Sequence, residues 1–108
     1  MANEVTIVLA ALADPTRRAI LESVRNGPRS VSDIAGDFEV SRPAVSQHLR
    51  VLQEAGLMRS QRSGRQHFYG LDLRGLTALR SYVESFWDDV LGAFSAAAVK
   101  ESERRRRK

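Results

Sequence analysis

Between positions 41 and 71 the chain reads SRPAVSQHLRVLQEAGLMRSQRSGRQHFYGL, and its polar side chains are of the types that recognise nucleic acid. Glutamine can grip adenine, and arginine guanine, through paired hydrogen bonds in a major groove; Gln47 and Arg50 supply one of each. Ser41 and Ser46 can reach phosphate oxygens, and Arg42 adds charge at the start of the same segment. Farther on, Arg62 and Arg65 flank Gly64, a tip able to approach a minor groove or a phosphate closely. Positions 41–70 hold five arginines, Arg42, Arg50, Arg59, Arg62 and Arg65, against the acid Glu54. Residues 1–40 and 71–99 each carry a net charge of −2, so positive charge is concentrated where the hydrogen-bonding residues are. That distribution fits phosphate binding.

A helix over 41–55 positions these groups. Ser41 is placed as its N-cap, Pro43 falls in its first turn, and Gly56 ends it. At about 100° per residue, Val45, Leu49 and Leu52 cluster on one face that must look toward a core. Pro43, Gln47 and Arg50 lie opposite, with Ala44 and Ser46 on the flanks. His48 sits at the edge of the apolar stripe, suited to packing or to one phosphate contact. No second histidine stands three or four residues away to make it a metal ligand. A two-stranded hairpin follows over 57–71, turning at Ser63-Gly64-Arg65; Leu57, Phe68, Tyr69 and Leu71 are available to pack it on the helices.

Upstream, Val5, Val8, Leu9 and Leu12 mark one face of a first helix. Asp14-Pro15 starts a second that buries Ile20, Leu21 and Val24 and stops at Asn26-Gly27-Pro28. Ser30 and Asp33 form a capping-box pattern for a short third helix carrying Val31, Ile34, Ala35 and Phe38. A last helix is predicted over 73–99. Its Leu76, Leu79, Val83, Phe86, Val90 and Ala93 recur at alternating spacings of three and four, with Trp87, Leu91 and Phe94 alongside. So broad an apolar stripe is more than a small domain leaves in water, and it predicts a dimerisation face shared with the first helix. The candidate seam is Val5, Val8, Leu9, Leu12, Leu79, Val83, Phe86, Trp87, Val90, Leu91 and Phe94. Trp87 could alternatively line a ligand pocket between last helices.

The 108 residues make one small, mainly α domain over 1–99, with five helices and a hairpin in the order α-α-α-α-β-β-α. The net charge of +4 is carried entirely by the tail 100–108, a basic run expected to be disordered. Cysteine is absent, which excludes disulfides and thiolate chemistry. No apolar run approaches a membrane span and no leader pattern opens the chain, so a cytoplasmic location and no membrane partner are expected. No nucleophile triad or phosphate-cradling glycine loop is present, and Asp88-Asp89 point about 100° apart on their helix. An enzyme is not expected, nor a resident cofactor.

The strings LADPTRRAILE (12–22), SVSDIAGDFEVSRPAVSQHLRVLQEAGL (30–57) and SGRQHFYGLD (63–72), in this order and spacing, resemble the ArsR-type (arsenical-resistance repressor) family of bacterial transcription regulators over nearly the full length. The resemblance implies a winged helix-turn-helix fold and a symmetric dimer joined through first and last helices. It also implies two recognition helices in successive major grooves of an inverted-repeat operator, and repression relieved by a signal. One departure matters. Metal-sensing members carry a Cys-x-Cys pair at the start of the third helix, where this chain has Ser30 and Ser32. Serine is a poor ligand for soft metals, so the chain is more similar to the metal-independent branch of simple repressors and autorepressors.

The leading expectation is therefore a homodimeric repressor of double-stranded DNA, with Ser41, Arg42, Pro43, Ser46, Gln47, His48, Arg50, Arg62 and Arg65 at the interface. A second reading keeps the same DNA binding under a metal or small-molecule effector, with His48, His67 or Asp88 and Asp89 as nitrogen and oxygen ligands. A third keeps the fold for protein interaction alone and would show loss of the polar outer face, which here is intact.

Overall fold

The computed structural model describes residues 3–106 and comprises five helices and three strands among them. Helix α1 (Glu4–Ala13) is capped by Asn3, whose Oδ1 accepts from the Thr6 amide. Helix α2 (Pro15–Ser23) is capped by Asp14 through the amides of Thr16 and Arg17, with proline in its first turn. After Gly27 and Pro28 comes β1 (Arg29–Ser30), and then α3 (Val31–Asp37), capped by the Ser30 hydroxyl on the Asp33 amide at 3.1 Å. Helix α4 (Arg42–Glu54) is capped by Ser41 on the Ala44 amide. Strands β2 (Met58–Ser63) and β3 (Gln66–Leu71) form the hairpin, and α5 (Leu73–Arg106) closes the chain. In α2, α3 and α4 the side chain that satisfies an orphan amide is the one read from the sequence as the cap.

The core is made by α2, α3 and α4 with the adjoining turns of α1 and the root of the hairpin. Val8, Ile20, Val24, Ile34, Val45, Leu49, Leu52, Leu57 and Met58 are all but inaccessible within it. Tyr69 and Leu71 pack on this core from β3. Phe68 does not. Side chains alternate along a strand, so Phe68 and Gly70 face the other way, into a cleft shared with Val24 and Pro28.

The expected two-stranded hairpin is a three-stranded antiparallel sheet in the order β1-β3-β2. Arg29 pairs with Tyr69 and Ser30 with Phe68, while β2 pairs with β3 from Met58↔Leu71 to Ser63↔Gln66. The chain leaving Pro28 is already extended and gives β3 a partner on its open edge. The hairpin also starts one residue later than expected, because Leu57 is still in the turn after α4. It closes through Gly64 and Arg65, with Gly64 at φ +62°.

Two further expectations are corrected. The tail 100–108, expected to be disordered, is helical as far as it is described: α5 continues beyond 99 to Arg106, and 107–108 lie outside the described residues. Glu101 pairs with Arg105 one turn away, a spacing that supports an exposed helix. Val8, placed on the outer seam by periodicity, is fully buried in the protomer's own core, and Leu12 and Leu79 pack against that core. The reason is that α1 lies between α2 and the first turns of α5, so its stripe is already occupied.

Beyond that point α5 leaves the body of the protein. From Arg80 through Arg105 every residue is exposed, and the molecule measures 75 × 32 × 26 Å. Val83, Phe86, Trp87, Val90, Leu91 and Phe94 are uncovered, Phe94 to 75%. On α1, Ile7 and Leu9 are exposed and Val5 is half-buried.

Candidate nucleic-acid interface

The helix pair α3–α4, with three residues between Asp37 and Ser41, and the hairpin behind it create one polar surface. Val45, Leu49 and Leu52 anchor α4 to the core, which turns the opposite side of the helix outward. Ser41, Arg42, Pro43, Ser46, Gln47 and Arg50 are all exposed on it. Gln47 and Arg50 have no side-chain hydrogen bond to the protein among the described residues, so their donors and acceptors face solvent.

Three contacts hold the surface in shape. The Arg42 guanidinium donates to the Ser32 hydroxyl at 2.6 Å, tying the first turn of α4 to α3. The Gln53 amide donates to the Ser60 hydroxyl at 3.2 Å, tying the last turn of α4 to β2. Arg62 Nε donates to the Gly64 carbonyl at 3.2 Å and braces the hairpin turn. Arg62 is thus partly committed to its own loop, whereas Arg65 at the tip is exposed and has no side-chain hydrogen bond or ion pair among the described residues.

His48 is half-buried, and its Nδ1 is enclosed with no hydrogen-bond partner among the described residues. It sits between the buried and outward faces of α4 and adds a small electrostatic influence to Asp14. The Asp14 carboxyl is held below the usual range mainly by the Arg17 amide, then by the Thr16 amide and the Arg17 charge, against some burial. His67 stands on β3, and Asp88 and Asp89 lie on the overhanging part of α5. Among the described residues no three His, Asp or Glu side chains come together as a metal site.

Where the hairpin meets the body, two glycines allow close backbone approach. Gly56 turns the chain out of α4 at φ +72°, and its carbonyl accepts from the Gly75 amide at 2.8 Å. A methyl at Gly75 would lie 2.8 Å from that carbonyl oxygen. Asp72, only 8% exposed, caps the start of α5 on the Arg74 amide and pairs with the Arg74 guanidinium at 2.7 Å. The Arg74 side chain, with its amide, holds the Asp72 carboxyl below the ordinary carboxylate range.

Sequence reading placed Arg42 and Arg65 at the interface separately, weighed Ser32 and His67 only in connection with metal, and passed over Gln66. Folding brings all five to the rim of one cleft between α3, α4 and the hairpin tip. The missed signal was β1: extended residues at 29–30 carry β3, and with it His67, alongside the start of α3.

Comparison with known proteins supplies a context for this surface. Residues 14–60 match the family described as "Bacterial regulatory protein, arsR family". The chain is 45% identical over 93 residues to the HTH-type transcriptional regulator Rv2034 of Mycobacterium tuberculosis, covering 86% of this chain and 87% of that one. It is 38% identical over 65 residues to the transcriptional repressor SdpR of Bacillus subtilis, 60% of this chain and 72% of the relative. The solution structure of the homodimeric winged helix-turn-helix DNA-binding domain of Mb0332 from Mycobacterium bovis superposes with a TM-score of 0.65 at 28% identity, over 80% of each chain. No helix among the described residues is long and apolar enough to cross a membrane.

Proposed function

The chain belongs to the arsR family of bacterial regulatory proteins, and from that premise we propose that it is a homodimeric repressor of transcription acting in the cytoplasm. Each protomer lays α4 in a major groove, Gln47 and Arg50 reading base edges while Ser41, Arg42 and Ser46 take up phosphates. Arg62 and Arg65 of the hairpin engage the neighbouring backbone or minor groove. The two α4 helices of a dimer meet half-sites about one helical turn, roughly 34 Å, apart on an inverted repeat. The observation that carries this is the outward face of α4: exposed Gln47 and Arg50, both without side-chain hydrogen bonds among the described residues, beside a basic hairpin. The uncovered stripe from Val83 to Phe94 supports a two-fold partner, in keeping with the homodimeric Mb0332 domain. Repression is favoured by the likeness to the transcriptional repressor SdpR; repression of its own gene is part of the same proposal.

The test is fluorescence anisotropy of the purified protein on a duplex carrying the promoter upstream of its own gene, against a scrambled duplex, at two salt concentrations. The expected outcome is at least about thousandfold preference for the promoter. Equal, steeply salt-dependent binding to both would defeat autorepression and leave only charge-driven association.

A further inference from the structure

The cleft at the hairpin tip has a volume of about 250 Å³ and draws on elements far apart in the chain. Ser32 comes from α3, Arg42 from the first turn of α4, Arg65 from the hairpin turn, and Gln66 and His67 from β3. No acid lines it. All five side chains are exposed and line this one cleft, so their polar groups are open to solvent there rather than buried in the core. The pairing of Ser30 with Phe68 sets His67 beside Val31 at the head of α3, which builds the back of the basin. Arg42 is held over it by the 2.6 Å bond to Ser32. That bond uses one of five guanidinium donors and leaves the remainder available to an oxyanion.

We propose that this cleft clamps one backbone phosphate of bound DNA, shared by Arg42, Arg65 and His67, and so sets the angle between the recognition helix and the hairpin. The inference rests on the regulator reading above. Two guanidinium groups and an imidazole converging without an acid suit a small, singly charged tetrahedral linkage, because charge-assisted N–H donors match its two free oxygens. The basin opens between the two elements that flank a DNA backbone when α4 is in a groove, and a phosphate there would be reached from both sides. Ser32 is a positioning residue: it aims Arg42 rather than carrying charge. Gln66 offers a further amide donor at the rim.

The experiment uses the full-length protein and a duplex enriched by it from a random pool. Single methylphosphonate linkages, which remove one negative charge at a time, are walked along that duplex. Affinities are measured for the natural sequence and for Arg42→Met, Arg65→Met, His67→Gln and Ser32→Ala, each checked for an unchanged melting temperature. One linkage per half-site is expected at which neutralisation weakens the natural protein about tenfold. At that same linkage the neutralisation costs markedly less in all three clamp variants, the non-additivity that marks direct contact. Arg42→Met and Arg65→Met each lower the salt slope by about one, whereas Ser32→Ala weakens the coupling of that linkage without lowering the slope. Enrichment of a sequence with the three variants coupled to different linkages, or to none, would overturn the clamp and leave the regulator reading standing. Failure to enrich any sequence would bring down both.

Discussion

Gln47 and Arg50 are three residues apart on α4, both exposed and without side-chain partners among the described residues, whereas Arg42 and Arg62 are partly committed to Ser32 and to the Gly64 carbonyl. Free donors and acceptors are what base reading requires, since a side chain already bonded must break that bond first. Gln47→Ala and Arg50→Ala should each cost about 1–3 kcal/mol on the cognate duplex and relax base preference at their own positions. Unaltered affinity and preference in a binding-site selection would show that α4 presents another face. A second residue-scale prediction concerns Asp72. Its carboxyl titrates below the ordinary range in the folded protein because Arg74 favours the charged form. The resulting stabilisation is present above the ordinary carboxylate range and is lost as pH falls through the lowered value. Asp72→Asn should therefore melt at lower temperature than the natural protein near neutral pH. The gap between them should narrow as pH drops below about 4; a gap independent of pH would assign the effect to packing instead.

At the scale of elements, the helix starts were legible because capping is local. Asp14, Ser30 and Ser41 each bond an amide two or three residues ahead, and only the identity of the residue and its neighbours is needed to foresee that; Asn3 does the same for α1, a cap of the same local kind that the sequence reading did not single out. The short strand β1 was not legible. Two residues have no periodicity, and what makes Arg29 and Ser30 a strand is the open edge of β3, some forty positions later. The same limit applies to Gly75, which looks like an ordinary helix-weakening glycine until the carbonyl of Gly56 is found against it. Gly75→Ala should destabilise the protein by about 1–3 kcal/mol through overpacking against that backbone, measured by urea unfolding. A neutral result would mean that α5 can slide at its base.

For the whole molecule, the decisive feature is that α5 overhangs the body and carries its aromatic stripe into solvent from Val83 to Phe94. Burying such a stripe is worth about 25 cal/mol per Å² of apolar surface, and a two-fold partner can bury the same residues twice over. A charge at its centre, Phe86→Glu or Val90→Glu, should give a monomer by sedimentation while leaving the helical spectrum of the core intact. Operator affinity should fall about a hundredfold or more, because two linked half-sites become one. A charged variant that stays dimeric would place the partner elsewhere. The basic end of α5 is also a property of the whole molecule. Deleting 100–108 should reduce affinity for scrambled DNA and flatten its salt dependence more than it affects the operator.

By itself the sequence determined the helices, the caps at Asp14, Ser30 and Ser41, the inward face of α4 and the clustering of arginines around it, because each depends on residues within one or two turns of each other. It also carried the strings that mark the family. Only the tertiary structure decided which apolar residues were left over once the protomer's own core was filled. Val8 went inside and Phe94 stayed out although both lie on regular stripes, since periodicity gives a face but not its neighbour. Only the structure brought Ser32, Arg42, Arg65 and His67 to one cleft. They come from three elements and a turn, and a sheet pairing between positions 29–30 and 68–69 sets their spacing, a long-range contact that no local pattern encodes.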